Sequence, residues 1–291
     1  MKRQHADAQV VPYPKFRRWM VAAYRSVQHK HMIHGLFEVD VTRARALLRE
    51  HQAKTGESLS FTAFLATCLA KAVDEYKGVQ AYRQGGKRLV LFDDVDLYVV
   101  IEHDIAGQKY IIPYIIRAAN RKTLRELHDE IRAAQGRDVQ HLLKRFQFLL
   151  LPTVLFRPFL WAFVWIGSRH PRLWKGTVGT VGISAVGMFG NGAGWGIPPA
   201  TPTTLMVTVG GIGEKQAVVD GHVAVREYLS LTISVDHDIV DGAPAARFIK
   251  RLKELIESSH GLADATGESE QTPRVREVNY VYNSSRESNL S

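Results

Sequence analysis

The stretch from Leu229 to Ser258 constrains the architecture of this chain more than any other. Residues 229–235 read Leu-Ser-Leu-Thr-Ile-Ser-Val, with the period of a strand. Asp236-His237-Asp238-Ile239-Val240-Asp241-Gly242 follows at once. Ala243 to Ser258 then carries Ala246, Phe248, Ile249, Leu252 and Ile256 at helical spacing. A strand that turns so quickly into an amphipathic helix needs a sheet for the helix to lie on. The same two periods recur upstream. Strands are expected over 36–41, 95–102, 111–116, 178–184 and 205–209. Helices are expected over 12–34, 41–52, 58–76 and 123–134. Arg83-Gln84-Gly85-Gly86-Lys87 reads as a turn between short strands, and Asp220-Gly221 as the tip of a hairpin over 217–225. Strands and helices mix without strict β-α-β alternation, so the expected class is α/β or two-layer α+β, a mixed sheet with packed helices.

Size and composition agree with one large domain over residues 1–262. The chain has 291 residues, 45% of them hydrophobic, enough for a sizeable core. Cys68 is the single cysteine, which excludes an intrachain disulfide framework and a cysteine zinc site. The opening Met1-Lys2-Arg3-Gln4-His5-Ala6-Asp7 has no apolar core of a secretory signal, so a reducing, cytoplasmic setting is expected. The net charge of +9 attracts anions, but the basic residues are scattered and no nucleic-acid-binding motif accompanies them. No nucleic-acid partner is expected.

Two segments stand apart. Residues 146–167 read FQFLLLPTVLFRPFLWAFVWIG, nearly long enough to span a bilayer. Two prolines and Arg157 interrupt the run, and an arginine at the bilayer centre costs about 2.5–3.5 kcal/mol. A buried or pocket-lining helix pair is the expectation, with peripheral membrane contact through 146–166 as the alternative. Residues 263–291 are polar and read as a mobile tail or an arm that docks on a neighbour.

His237 is the candidate base. A neutral imidazole takes up a proton near neutral pH, and a strand just before it holds its backbone. Asp241 can orient it, and Gly242 lets the chain enter the helix, whose N-terminus favours anions. Taken locally, the pattern reads equally as an ordinary histidine with Asp241 capping the helix. His29, His31 and His34 invite a metal reading, but no acidic or cysteine partner lies at a convincing spacing, and no metal is expected. The glycine-rich run 190–196 lacks the Gly-Lys-Ser/Thr ending of a phosphate loop.

A longer pattern separates these readings. Ser234 through Phe248, read with Gly179-Thr180-Val181-Gly182-Ile183-Ser184-Ala185-Val186-Gly187-Met188-Phe189-Gly190, closely resembles the catalytic domain of the 2-oxo acid dehydrogenase acyltransferases, the E2 family. Pro198-Pro199, Val209-Gly210-Gly211-Ile212, the region from Asp94 to Leu124, and His34-Gly35-Leu36-Phe37-Glu38-Val39-Asp40-Val41 continue the resemblance in the family's order. It covers roughly 15–135 and 176–260. The resemblance implies a fold like that of chloramphenicol acetyltransferase. It implies that His237 deprotonates a thiol, that Ser184 donates a hydrogen bond to the oxyanion, and that Asp241 holds the geometry by pairing with an arginine. Arg25 is the candidate for that arginine, with Arg18 as alternative. Coenzyme A or acyl-CoA is the implied substrate. The implied assembly is a homotrimer or a multiple of trimers, with His237 of one subunit facing Ser184 of the next.

This chain departs from that pattern in two ways. The resemblance begins near residue 15, with no lipoyl attachment site, so a separate lipoylated protein, an acyl carrier or acyl-CoA is the expected donor. The block around 140–174 is apolar where the family has a short polar connection. An apolar lining there would suit a long or branched acyl group, at about 0.8 kcal/mol per buried CH₂. An E2-like scaffold without catalysis and a membrane-associated binding protein are the competing readings.

Overall fold

A computed structural model describes residues 15–105, 108–137, 169–185, 192–219 and 221–266, together with Tyr13, Ala162 and residues 165–167. The expected tail over 263–291 and the apolar stretch over 146–166 therefore lie largely outside the described residues.

Helix α1 (Lys15–Val27) leads into β1 (Met32–Asp40), then α2 (Thr42–Thr55) and α3 (Phe61–Glu75). The short β2 (Tyr82–Gln84) and β3 (Arg88–Val90) flank the expected glycine turn. Next come β4 (Leu97–Ile105), β5 (Gln108–Ile116), α4 (Leu124–Gln135), α5 (Pro171–Val178) and β6 (Val181–Ala185). The chain closes with β7 (Leu205–Val219), β8 (His222–Asp236), α6 (Gly242–Glu257) and α7 (Leu262–Thr266). Six strands form a mixed sheet in the order β1-β8-β7-β6-β4-β5. The β4–β6 and β6–β7 pairings are parallel, and the other three are antiparallel.

The alternation in β8 divides the sheet into two chemically different faces. Leu229, Leu231, Ile233 and Val235 are buried in a cluster with Phe64 and Leu69 of α3, Leu127 of α4, and Phe248 and Leu252 of α6. That cluster is the hydrophobic core. The intervening Ser230, Thr232, Ser234 and Asp236 point to the other face and are buried as well. Capping sets the helix starts. Thr123 and Glu126 form a reciprocal capping box for α4, and Ser60 accepts the Ala63 N–H of α3.

The expected strands over 205–209 and 229–235 are halves of a longer object. Strands β7 and β8 each run 15 residues and stay paired as far as Val219 and His222, on either side of the expected tip. The charges of Glu214, Lys215, Arg226 and Glu227 break the apolar signal, though the ladder continues through all four. A register shift between Val209 and Ile212 holds Gly210 and Gly211. A Cβ at either position would collide with the carbonyl oxygen of Gly194 or Gly192, so this crossing needs glycine. Strand β1 begins at Met32, ahead of the expected Leu36, because residues 32–35 pair with the end of β8.

Candidate active site

The corner after β8 is held at several points. The Asp236 N–H donates to Thr204 O at 2.9 Å, and its carbonyl accepts the N–H groups of Ile239 and Val240, both at 3.0 Å. One Asp236 carboxylate oxygen accepts the Asp238 N–H at 3.2 Å, while the other lies 3.4 Å from the Lys30 ammonium. Lys30 also donates to Pro202 O at 3.2 Å and Thr203 O at 3.0 Å. Burial pushes the Lys30 ammonium below the usual lysine value, and the carboxylates of Asp236 and Asp238 oppose that shift. The His237 N–H donates to His31 O at 2.8 Å, and His31 Nδ1 lies 2.8 Å from Asp238 Oδ1.

The backbone of His237 is thus fixed while its ring stays 44% exposed. Asp241 occupies the N-cap position of α6, and Gly242 opens the helix. The Asp241 carboxylate makes no capping bond. It lies 3.8 Å from His237 Nδ1, beyond hydrogen-bond length but close enough to act on an imidazolium electrostatically.

Ser184 lies in β6, opposite Thr208 of β7, which in turn lies opposite Thr232 of β8. His237 is five residues beyond that level. At about 3.3 Å per residue and about 4.8 Å per strand, the two Cα positions are roughly 19 Å apart. No rotamer of Ser184 and His237 spans that gap within one chain. The hydroxyls of Thr208, beside Ser184, and of Thr232, one strand farther, are buried, and neither has a hydrogen-bond partner in this structure.

Arg25 lies in the last turn of α1 with an exposed side chain. Among the described residues no ion pair joins it to Asp241, so the structure does not bring the expected pair together within one chain. The side chain of Arg18 lies outside what is described. The histidine cluster disperses into local bonds. His31 pairs with Asp238, and His34 Nδ1 meets Ser234 Oγ at 2.8 Å. Among the described residues no three His, Cys, Asp or Glu side chains group to hold a metal, and no helix is long and apolar enough to cross a membrane. A hollow of about 150 Å³ lies between β1 and α6, lined by Ile33, His34, Gly35, Ala245, Ala246 and Ile249. Ligand pockets usually take about 300–1,000 Å³.

Sequence reasoning passed over Lys30, Asp236 and Thr208. Lys30 sits inside the histidine cluster, whose sequence pattern points to metal ligands rather than to the lysine. Asp236 precedes the candidate base and carries no spacing signal of its own. Thr208 has the ordinary look of a strand residue. The one available signal was the two-residue alternation, which places Thr208 and Asp236 on the polar face.

The family model of the 2-oxoacid dehydrogenases acyltransferase (catalytic domain) matches residues 5–148 and 174–263, and skips most of the apolar stretch. The lipoamide acyltransferase component of the branched-chain alpha-keto acid dehydrogenase complex of Bacillus subtilis (strain 168) is 25% identical over 228 residues. That covers 77% of this chain and 46% of that protein. This chain spans about half the length of the curated relatives it matches. Two solved structures share the fold. A probable dihydrolipoamide acetyltransferase of Listeria monocytogenes 4b F2365 aligns with TM-score 0.64 at 21% identity, covering 92% of this chain and 99% of that one. A dihydrolipoamide acetyltransferase (E2p) of Azotobacter vinelandii aligns with TM-score 0.63 at 20% identity, covering 89% and 96%.

Proposed function

Since the chain belongs to the 2-oxoacid dehydrogenase acyltransferase family through its catalytic domain, we propose that it moves an acyl group between coenzyme A and an acceptor thiol, with His237 as general base. The observation that carries this reading is the corner itself, an exposed imidazole on an immobilised backbone with a carboxylate beside it. A thiol of pKa about 8.5 is mostly protonated at neutral pH, so a base is needed to make the thiolate. The His237 imidazole takes that proton. The thiolate attacks the thioester carbonyl, a new C–S bond forms, and the carbonyl oxygen becomes an oxyanion. Collapse breaks the old C–S bond, and the leaving thiolate recovers the proton from the imidazolium. Asp241 stabilises the imidazolium between these steps.

Ser184 donates to the oxyanion, and the separation of roughly 19 Å along and across the sheet requires that it come from another copy. We therefore assign a site between subunits of a cyclic oligomer, a trimer by analogy with the family. In the Azotobacter vinelandii enzyme a serine, a histidine and an asparagine were studied for roles in catalysis, the serine 52 residues before the histidine and the asparagine four after it. Here Ser184 precedes His237 by 53 residues and Asp241 follows it by four. The carboxylate in place of the amide adds a negative charge beside the base. The acceptor class follows the name of the Bacillus subtilis relative, a lipoamide. The apolar stretch lies where the family match breaks, largely outside the described residues.

Formation of free coenzyme A, separated by chromatography, from a panel of acyl-CoAs with dihydrolipoamide as acceptor tests the reading. The expected result is turnover of at least one acyl-CoA by the wild type, reduced by about 10²–10⁴ in His237→Ala. Equal, background-level release by both across the panel would favour a scaffold without catalysis.

A further inference from the structure

We propose that Lys30 is a positioning residue for His237, acting as a staple that ties the corner to two other segments of the chain; this rests on the acyltransferase reading. Lys30 lies in the short connection between α1 and β1, far in sequence from the base. Its side chain is only 13% exposed, and its ammonium touches three acceptors: the Asp236 carboxylate, Pro202 O and Thr203 O. These acceptors belong to different segments. Asp236 immediately precedes the base. Pro202 and Thr203 lie in the segment that leads into β7, and the next residue, Thr204, accepts the Asp236 N–H.

The neighbour of Lys30 completes the clamp. His31 O accepts the His237 N–H, and the His31 ring meets the Asp238 carboxylate. Residue 236 is thus engaged by Lys30, and residues 237 and 238 by His31. Of the two side-chain contacts, the one made by Lys30 is the more shielded from water. The His31 side chain is 78% exposed, and its contact with Asp238 is open to solvent and salt. Lys30 is therefore the side-chain restraint that persists in solution, beside the backbone bonds, and it acts on the imidazole only through the backbone. A shift of about 1 Å in a reacting group can cost about a hundredfold in rate.

The test pairs peptide-resolved amide hydrogen exchange with kinetics on the full-length protein, comparing wild type with Lys30→Met. Removing the ammonium leaves Asp236 buried and unpaired, which alone can unfold a protein. The double variant Lys30→Met with Asp236→Asn removes both charges and serves if the single variant does not fold. The expected result is exchange at residues 237–240 faster by about tenfold or more, with β7 and β8 unchanged. With acetyl-, isobutyryl- or succinyl-CoA and dihydrolipoamide, kcat falls about tenfold or more while KM stays within about twofold. Unchanged exchange at 237–240 would overturn the proposal. So would faster exchange with an unaltered kcat, because the contact would then be structural only. A wild type inactive on all three donors would count against the acyltransferase reading, and the exchange measurement would still decide whether the staple exists.

Discussion

At the scale of single residues, His237 owes its suitability to the contrast between a fixed backbone and an open ring. The N–H is bonded to His31 O while the imidazole stays half exposed, with Asp241 close by. A lone serine has less local definition. Ser184 was legible only through the long resemblance around it, since a serine in a β-strand carries no signal of its own. Its proposed role predicts a kinetic signature. Ser184→Ala should lower kcat by about 10²–10³ with KM little changed, because an oxyanion donor acts on the transition state. Steady-state kinetics on the preferred acyl-CoA would show it. A loss smaller than about threefold would remove Ser184 from the site. Lys30 was illegible for a plain reason: its function depends on a fold that brings residues 30, 202 and 236 together, and sequence distance hides such contacts.

At the scale of elements, the sequence was most informative where periodicity and caps agree. Ser60 at the start of α3 and the Thr123 capping box of α4 lie where the sequence predicts helix starts. The long β7–β8 ladder was only half legible, because charges and three glycines interrupt a pattern that backbone pairing sustains. One contact between elements makes stability depend on pH. The Ser60 N–H donates to His128 Nδ1 at 2.9 Å, so that nitrogen must carry no proton. Burial is the main cause that pushes His128 below the ordinary histidine value, and Arg132 adds to it, while Asp129 and Glu57 oppose. The unfolded chain then binds the proton more readily than the folded one. This contribution is complete above about pH 6.5 and is lost as the pH falls below that value. His128→Asn keeps an acceptor that does not titrate. Its Tm should fall less than that of the wild type between about pH 7 and pH 5, and parallel Tm curves would contradict the account.

At the scale of the whole molecule, the six-stranded sheet sets the proposed base and the proposed oxyanion donor far apart, and the proposal of a site shared between copies rests on that separation. The core face packs α3, α4 and α6, and so carries β8 into a fixed corner at one end of the sheet. Ser184 sits toward the other end of its own strand, on the polar face. The two-layer class and the strand–turn–helix unit were legible in the sequence. The distance between the two site residues was not, because it depends on strand order, which periodicity does not encode. The split site is tested most directly by mixing two inactive variants. His237→Ala subunits and Ser184→Ala subunits would be unfolded together, refolded as mixed oligomers and assayed. In a cyclic assembly mixed one to one, roughly a quarter of the interfaces pair an intact histidine with an intact serine. The account predicts recovery of about a quarter of wild-type turnover, set against near-background turnover of each variant refolded alone. Mixed oligomers no more active than either parent would contradict it.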